Sequence, residues 1–395
     1  MIPYARQQVI QADIDAVVAA LQADFITQGP LIARFEQAVA ARTGCLHAVA
    51  LNSATSALHA ACLALGLQAG ERLWTVPNTF VASANCARYC GASVDFVDID
   101  PLTWNMSVAD LEARLVRARR DNRLPKVVVP VHFAGQPTEQ ERIQALAHEY
   151  GFKVLEDASH SLGASRQAER VGSCRWSDIT VLSFHPVKII TSGEGGMALT
   201  NDADLAASLG MIRSHGVTRD PRRFQRPAAA DLDGAESDPW YYEQQLLGFN
   251  YRLTDIHAAL GLSQLTRLEQ FVTRRNQLAS RYQAALRGLP LRLPTVQAGN
   301  ISAFHLYVVR VDSGDGGRFR RRVFNALRQR GIGVNVHYLP VHLQPYYRAL
   351  GFDAGQFPES EAHGCGALTL PLYPDLTDAQ QDQVVAVLRQ VLDHG

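Results

Sequence analysis

The chain has 395 residues, 47% hydrophobic and 19% charged, with 38 basic against 38 acidic side chains and a formal net charge of +0. That length suits two domains with a short arm, and the composition is that of a globular, water-soluble protein. Balanced charge excludes the basic excess that nucleic acid or an anionic membrane surface selects, and no apolar run reaches the ~20 residues of a bilayer span.

The opening MIPYARQQVIQADIDAVVAAL shows no basic segment followed by an apolar one, so a cytoplasmic protein is expected. The six cysteines form no C-x-x-C pair, which predicts reduced thiols and no metal site. Residues 10–45 have helical spacing, broken at Thr27-Gln28-Gly29-Pro30. From there to about residue 260 short β-branched runs recur: AVALN (48–52), SVDFVDID (93–100), KVVVPVHF (126–133), KVLEDA (153–158) and ITVLSF (179–184). Helical stretches at 54–66, 80–90, 107–119 and 138–150 separate them. This alternation predicts an α/β fold of βαβ units on a mostly parallel sheet, with ligands at the carboxyl ends of its strands.

Residues 219–245 are charged and rich in Pro, Gly and Ala, a long excursion of the kind that is functional or disordered. Thr254 to about Leu286 reads as one long helix. It links a large domain, residues 1–260 with the arm, to a smaller α+β domain, residues 261–395. The latter is expected to hold strands near 305–311 and 333–338 and a closing helix near 377–392.

Three places could carry chemistry. Lysine occurs only at positions 126, 153 and 188, while arginine supplies the other 35 basic residues. Lys188 lies in SFHPVKIITSGEGG among apolar neighbours, which lower a lysine's pKa. A neutral amine can attack a carbonyl and arginine cannot, so Lys188 suits a Schiff base; it equally suits a strand-end lysine reaching water. In LNSATSALHAACLALG, residues 52–56 open a helix that is either a phosphate seat or an ordinary N-cap. Glu156 and Asp157 close a strand and point to opposite faces, one of them free to bind a metal, act as a base, pair with a protonated ring nitrogen or cap a turn. A Schiff-base lysine, a phosphate cradle and a carboxylate for a pyridinium nitrogen together are what pyridoxal phosphate requires. The chain has neither G-x-G-x-x-G after a strand nor a P-loop.

The stretches TQGPLIARFE, NSATSALHAA, VPNTFVASAN, VPVHFAGQP, EDASH, SFHPVKIITSGEGGM, GFNYRLTDIHAALGLSQL, HLYVV and VHYLPVH run in order from about residue 24 to 345. With them the chain resembles the sugar-nucleotide aminotransferases of the DegT/DnrJ/EryC1/StrS type, fold type I pyridoxal-phosphate enzymes. IPYARQ, DFITQGP and SFHPVK look most like the transaminases of pseudaminic acid biosynthesis. That likeness implies L-glutamate as donor, a UDP-linked 4-keto-6-deoxy-N-acetylhexosamine as acceptor, and a homodimer with shared active sites. It implies a Schiff base and proton transfer at Lys188, Asp157 on the pyridine nitrogen, Phe80 on the ring face and His160 near the ring hydroxyl. Ala54, Thr55, Ser183 and Asn250 would hold the phosphate, Asn250 from the neighbouring subunit. Tyr4, Asp24, Phe25, Ile26, Thr27, Arg252, Val336, His337, Tyr338 and Leu339 would meet substrate. The alternatives are amination of another nucleotide-linked 3- or 4-keto sugar, or a silent regulatory relative.

Overall fold

A computed structural model describes residues 1–225, 240–311 and 314–393. Helices α1 (Gln11–Gln22) and α2 (Pro30–Thr43) come first. Pro30 at the first helical position is preset for the helix, and Gly44 closes it in the left-handed conformation. The freed N–H groups of Gly29 and Leu31 are taken by the buried carboxylate of Asp255, at 2.7 and 2.9 Å.

Seven strands form the central sheet: β1 (His47–Leu51), β2 (Arg72–Thr75), β3 (Ser93–Phe96), β4 (Val127–Val129), β5 (Lys153–Asp157), β6 (Ile179–Ser183) and β7 (Gly196–Thr200). Their order is β1-β7-β6-β5-β4-β2-β3. The pairs from β6 to β3 are parallel, and β7 runs antiparallel to both neighbours. The expected mostly parallel sheet is present, with β2 and β7 added. Helices α3 (Ala54–Ala64), α4 (Ala82–Tyr89), α5 (Val108–Arg120) and α6 (Gln140–Tyr150) fill the crossovers, and α7 (Ala203–Arg213) follows β7. Val127–Val129 is apolar throughout and wholly buried, as a strand covered on both faces must be.

Two expectations need correction. The single long helix is two, α8 (Asp255–Leu265) and α9 (Leu268–Ala285). At the break the Thr266 hydroxyl donates to the Ser263 carbonyl at 2.6 Å, competing with the helical ladder. No strand forms over 333–338. Gly333 N–H donates to Ile2 O at 2.7 Å, so its partner is the N-terminal arm, and only Asn335 bridges to Thr369. The C-terminal part instead pairs Tyr307–Arg310 with Ala367–Leu370 and closes on the helix Asp378–Asp393. Its hydrophobic cluster takes in Ile2 from the arm. Of the 219–245 excursion, residues 226–239 lie outside the described residues; Glu243–Gln244 pairs with Val217–Thr218. The cysteines are unpaired, four buried, Cys90 half-buried and Cys365 exposed.

Candidate active site

Strands β1, β2, β4, β5 and β6 end on one side of the sheet, and a cavity of about 460 Å³ opens there. Ala54 and Thr55 follow β1, Phe80 follows β2, Asp157 ends β5 and Ser183 ends β6. Tyr4 from the arm and Val336, His337 and Tyr338 from the C-terminal part complete the wall.

Lys188 lies in a turn after β6, closed by its own N–H to His185 O at 2.9 Å, and not within a strand. Its side chain lines the cavity, and among the described residues the amine takes no hydrogen bond or ion pair. Burial pulls its pKa down to about 8, against an upward pull from Asp157. Burial also drives His160 and His305 well below the usual histidine range and His337 to about 3, each assisted by the charge on Lys188. These three imidazoles therefore face the cavity uncharged.

Strand alternation separates the two carboxylates. Asp157 faces the cavity, its oxygens accepting from Ser83 Oγ (2.6 Å) and the Ser159 N–H (3.1 Å). Glu156 points to the other face and is 1% exposed. It accepts from Thr180 Oγ1 (2.7 Å) and Gln140 Nε2, with His132 Nε2 at 3.6 Å. Burial raises the Glu156 carboxyl, and these donors more than offset that, leaving it low.

At the head of α3, Ser53 caps the helix by accepting from the Ser56 N–H at 3.1 Å. The turn beside it is packed against β7. A Cβ on Gly196 would lie 2.4 Å from Ala54 N and from the Ser53 carbonyl atoms. Only the missing side chain lets the strand pass this close under the turn.

These observations fit pyridoxal phosphate. A free amine of lowered basicity, a fixed carboxylate, a helix N-terminus with hydroxyls and an exposed aromatic, Phe80 at 59%, share one cavity. Of the other sequence candidates, Asp24, Phe25, Ile26 and Thr27 are exposed, as are Asn250 and Leu339. Arg252 donates to Ser214 Oγ at 3.2 Å. None of these seven lines the cavity of the single chain. Sequence reasoning missed His305, Asn335 and Ser83. His305 stood in the motif HLYVV, but only the fold brings it 4.5 Å, ring to ring, from His160. A larger open groove of about 1030 Å³ lies elsewhere, and its Arg42, Arg274 and Arg281 are already ion-paired.

Residues 7–389 match the DegT/DnrJ/EryC1/StrS aminotransferase family. The chain is 36% identical over 394 residues to the spore coat polysaccharide biosynthesis protein SpsC of Bacillus subtilis, covering 99% of this chain and 97% of that one. Its fold superposes on Helicobacter pylori PseC, an aminotransferase involved in the biosynthesis of pseudoaminic acid, with a TM-score of 0.88, 27% identity and 100% of both chains covered. It superposes on the PLP-form of the putative sugar aminotransferase Spr1654 of Streptococcus pneumoniae with a TM-score of 0.87 and 27% identity, over 100% of this chain and 99% of that one. The cavity and these likenesses agree: the chain belongs to the DegT/DnrJ/EryC1/StrS aminotransferase family, whose members depend on pyridoxal phosphate.

Proposed function

We propose that the protein moves the amino group of L-glutamate to the 4-keto carbon of a UDP-linked 4-keto-6-deoxy-N-acetylhexosamine, giving UDP-4-amino-4,6-dideoxy-N-acetyl-β-L-altrosamine. The observation that carries amino transfer is the free, weakly basic amine of Lys188 in one cavity with Asp157. The likeness to PseC supports the sugar.

Pyridoxal phosphate, when bound, supplies the electron sink that loosens the proton on the amino-bearing carbon. Lys188 Nζ takes that proton from the donor and delivers one to the sugar carbon in the second half-reaction; arginine could do neither. Asp157, held by Ser83 and Ser159, would pair with the ring nitrogen of the cofactor. Ala54, Thr55 and Ser183 would hold the phosphate, Phe80 would cover the ring, and Tyr4, Val336, His337 and Tyr338 would meet substrate.

Asn250, Arg252, Leu339 and the segment Asp24 to Thr27 serve the active site of a second copy in a homodimer. Their place outside the cavity supports this, as does the exposure of Phe25 (57%) and Ile26 (50%). We place the enzyme in the cytoplasm and read residues 1–260 and 261–395 as its two domains. A second reading, amination of a different nucleotide-linked keto sugar, is favoured by the higher identity to SpsC.

The test incubates the protein with pyridoxal phosphate, glutamate and a panel of UDP- and dTDP-linked keto sugars and follows 2-oxoglutarate. Release with the UDP-linked 4-keto sugar supports the first reading, and release only with another sugar supports the second. No release with any sugar, or full turnover by Lys188→Arg, defeats the assignment.

A further inference from the structure

The Tyr338 phenol and the His160 imidazole meet at 3.2 Å, Oη to Nε2, on the cavity wall. The other ring nitrogen fixes the direction of that bond. The Ala134 N–H, which can only donate, reaches His160 Nδ1 at 3.3 Å. Nδ1 is therefore the acceptor, and the single proton of the neutral ring sits on Nε2. Burial, at 5% exposure, keeps the ring neutral. Nε2–H then donates to Tyr338 Oη, and the phenol oxygen is an acceptor in that bond.

The phenol's own hydrogen has no acceptor among the described residues and can go only into the cavity. Burial holds the phenol protonated by raising its pKa, with Asp157 and Tyr4 adding to the rise. The ring is also fixed in place. Its backbone N–H donates to Asn78 Oδ1 at 3.2 Å, it meets Phe133 edge-on at 68°, and it lies within 17° of parallel to His160.

We infer that Tyr338 is a one-way hydrogen-bond donor to an oxygen acceptor of the bound ligand, with His160 as the positioning residue that aims it. This rests on the aminotransferase reading above and deepens it. The ligand atom opposite Tyr338 is an acceptor, best an anionic or carbonyl oxygen, because the phenol hydrogen has no other partner there. It belongs either to the cofactor ring or to a substrate carboxylate or keto group.

Four variants test this: Tyr338→Phe, His160→Gln, His160→Leu and the double variant Tyr338→Phe/His160→Leu, each first checked for folding by thermal melting. Equilibrium dialysis of the apo-protein gives the Kd for pyridoxal phosphate, and steady-state assays give KM and kcat for glutamate and sugar. Tyr338→Phe should weaken one of these about 10- to 100-fold, the loss of one hydrogen bond to a charged acceptor. A change in cofactor Kd assigns the oxygen to the cofactor, and a change in KM alone assigns it to substrate. A glutamine amide can accept from Ala134 and donate to Tyr338, so His160→Gln should lose at least several-fold less than His160→Leu. His160→Leu should match Tyr338→Phe, and the double variant should be no worse than either single change. Equal damage from His160→Gln and His160→Leu, additive losses in the double variant, or an unchanged Tyr338→Phe overturns the relay while the enzyme reading stands. A wild-type protein that binds no pyridoxal phosphate overturns both. Should Tyr338→Phe not fold, the comparison of the two His160 variants decides alone.

Discussion

Replacing Gly196 by alanine isolates the cofactor seat from the chemistry. The glycine is not in the left-handed region, so alanine could adopt its dihedrals and the objection is space alone. A new Cβ would sit 2.4 Å from Ala54 N and the Ser53 carbonyl, whereas ordinary contact begins at 3.4 Å. The atoms in the way are backbone, so no side chain can swing aside, and the turn must retreat by about 1 Å. Overpacking of this kind costs about 1–3 kcal/mol of stability. With the phosphate on this turn as proposed, the same displacement should remove at least one charge-assisted hydrogen bond, about 1.5–3 kcal/mol, or roughly 10- to 100-fold in Kd. Equilibrium dialysis of apo-protein against pyridoxal phosphate, paired with thermal unfolding, reads both effects. Gly210→Ala is the control. It lies inside the helix Ala203–Arg213 with nothing within 4 Å of the added carbon, and should gain about 0.5–1 kcal/mol without touching Kd. If Gly196→Ala binds the cofactor within about 2-fold of wild type, the phosphate does not sit on the turn after β1.

Capture of pyridoxal phosphate by the apo-protein should speed up as Lys188 loses its proton. The rate should climb from pH 7 and level off with a midpoint near the amine's pKa of about 8. A rate still rising toward the ordinary lysine value of ~10.4 would show an unperturbed amine. Glu156→Ala should cost about 3–5 kcal/mol by chemical denaturation, because it strands Gln140, Thr180 and His132 in the core. Since the Glu156 carboxyl is lowered on folding, the wild-type advantage should hold above pH ~4.3 and shrink as pH falls below it. An advantage flat through that range would refute the ionised network. Asp255→Ala should lower stability by about 1–2 kcal/mol through uncapping of α2, while Asp255→Asn should recover part of the loss.

Much of the fold was legible because its signals are local. Short β-branched runs between helical stretches marked β1, β3, β4, β5 and β6, and the break at residues 27–30 marked the gap between α1 and α2. β2 was overlooked because Arg72-Leu-Trp-Thr75 is short and opens with a charge, and β7 because Gly196 weakens a strand pattern. The break between α8 and α9 turns on one threonine hydroxyl, which periodicity does not register. The scarcity of lysine singled out Lys188, and strand alternation gave Glu156 and Asp157 opposite faces. Which of the two faces ligand depends on what packs behind β5, a long-range fact. His305 and Ser83 were out of reach for the same reason, being 117 and 105 residues from Lys188 in sequence.

The reversed strand β7 has a mechanical consequence for the lysine. Because β7 returns alongside β6, Lys188 rides on a short loop with both ends stapled together. Phe184 N–H bonds Gly195 O at 2.9 Å, and Ser192 N–H bonds Phe184 O at 3.0 Å. The loop is a fixed pier rather than a hinged arm. In the proposed reaction its amine would change partners within each turnover, and its four side-chain torsions would supply the travel. A long, unbranched side chain on a rigid anchor thus gives the site both reach and a reproducible point of return.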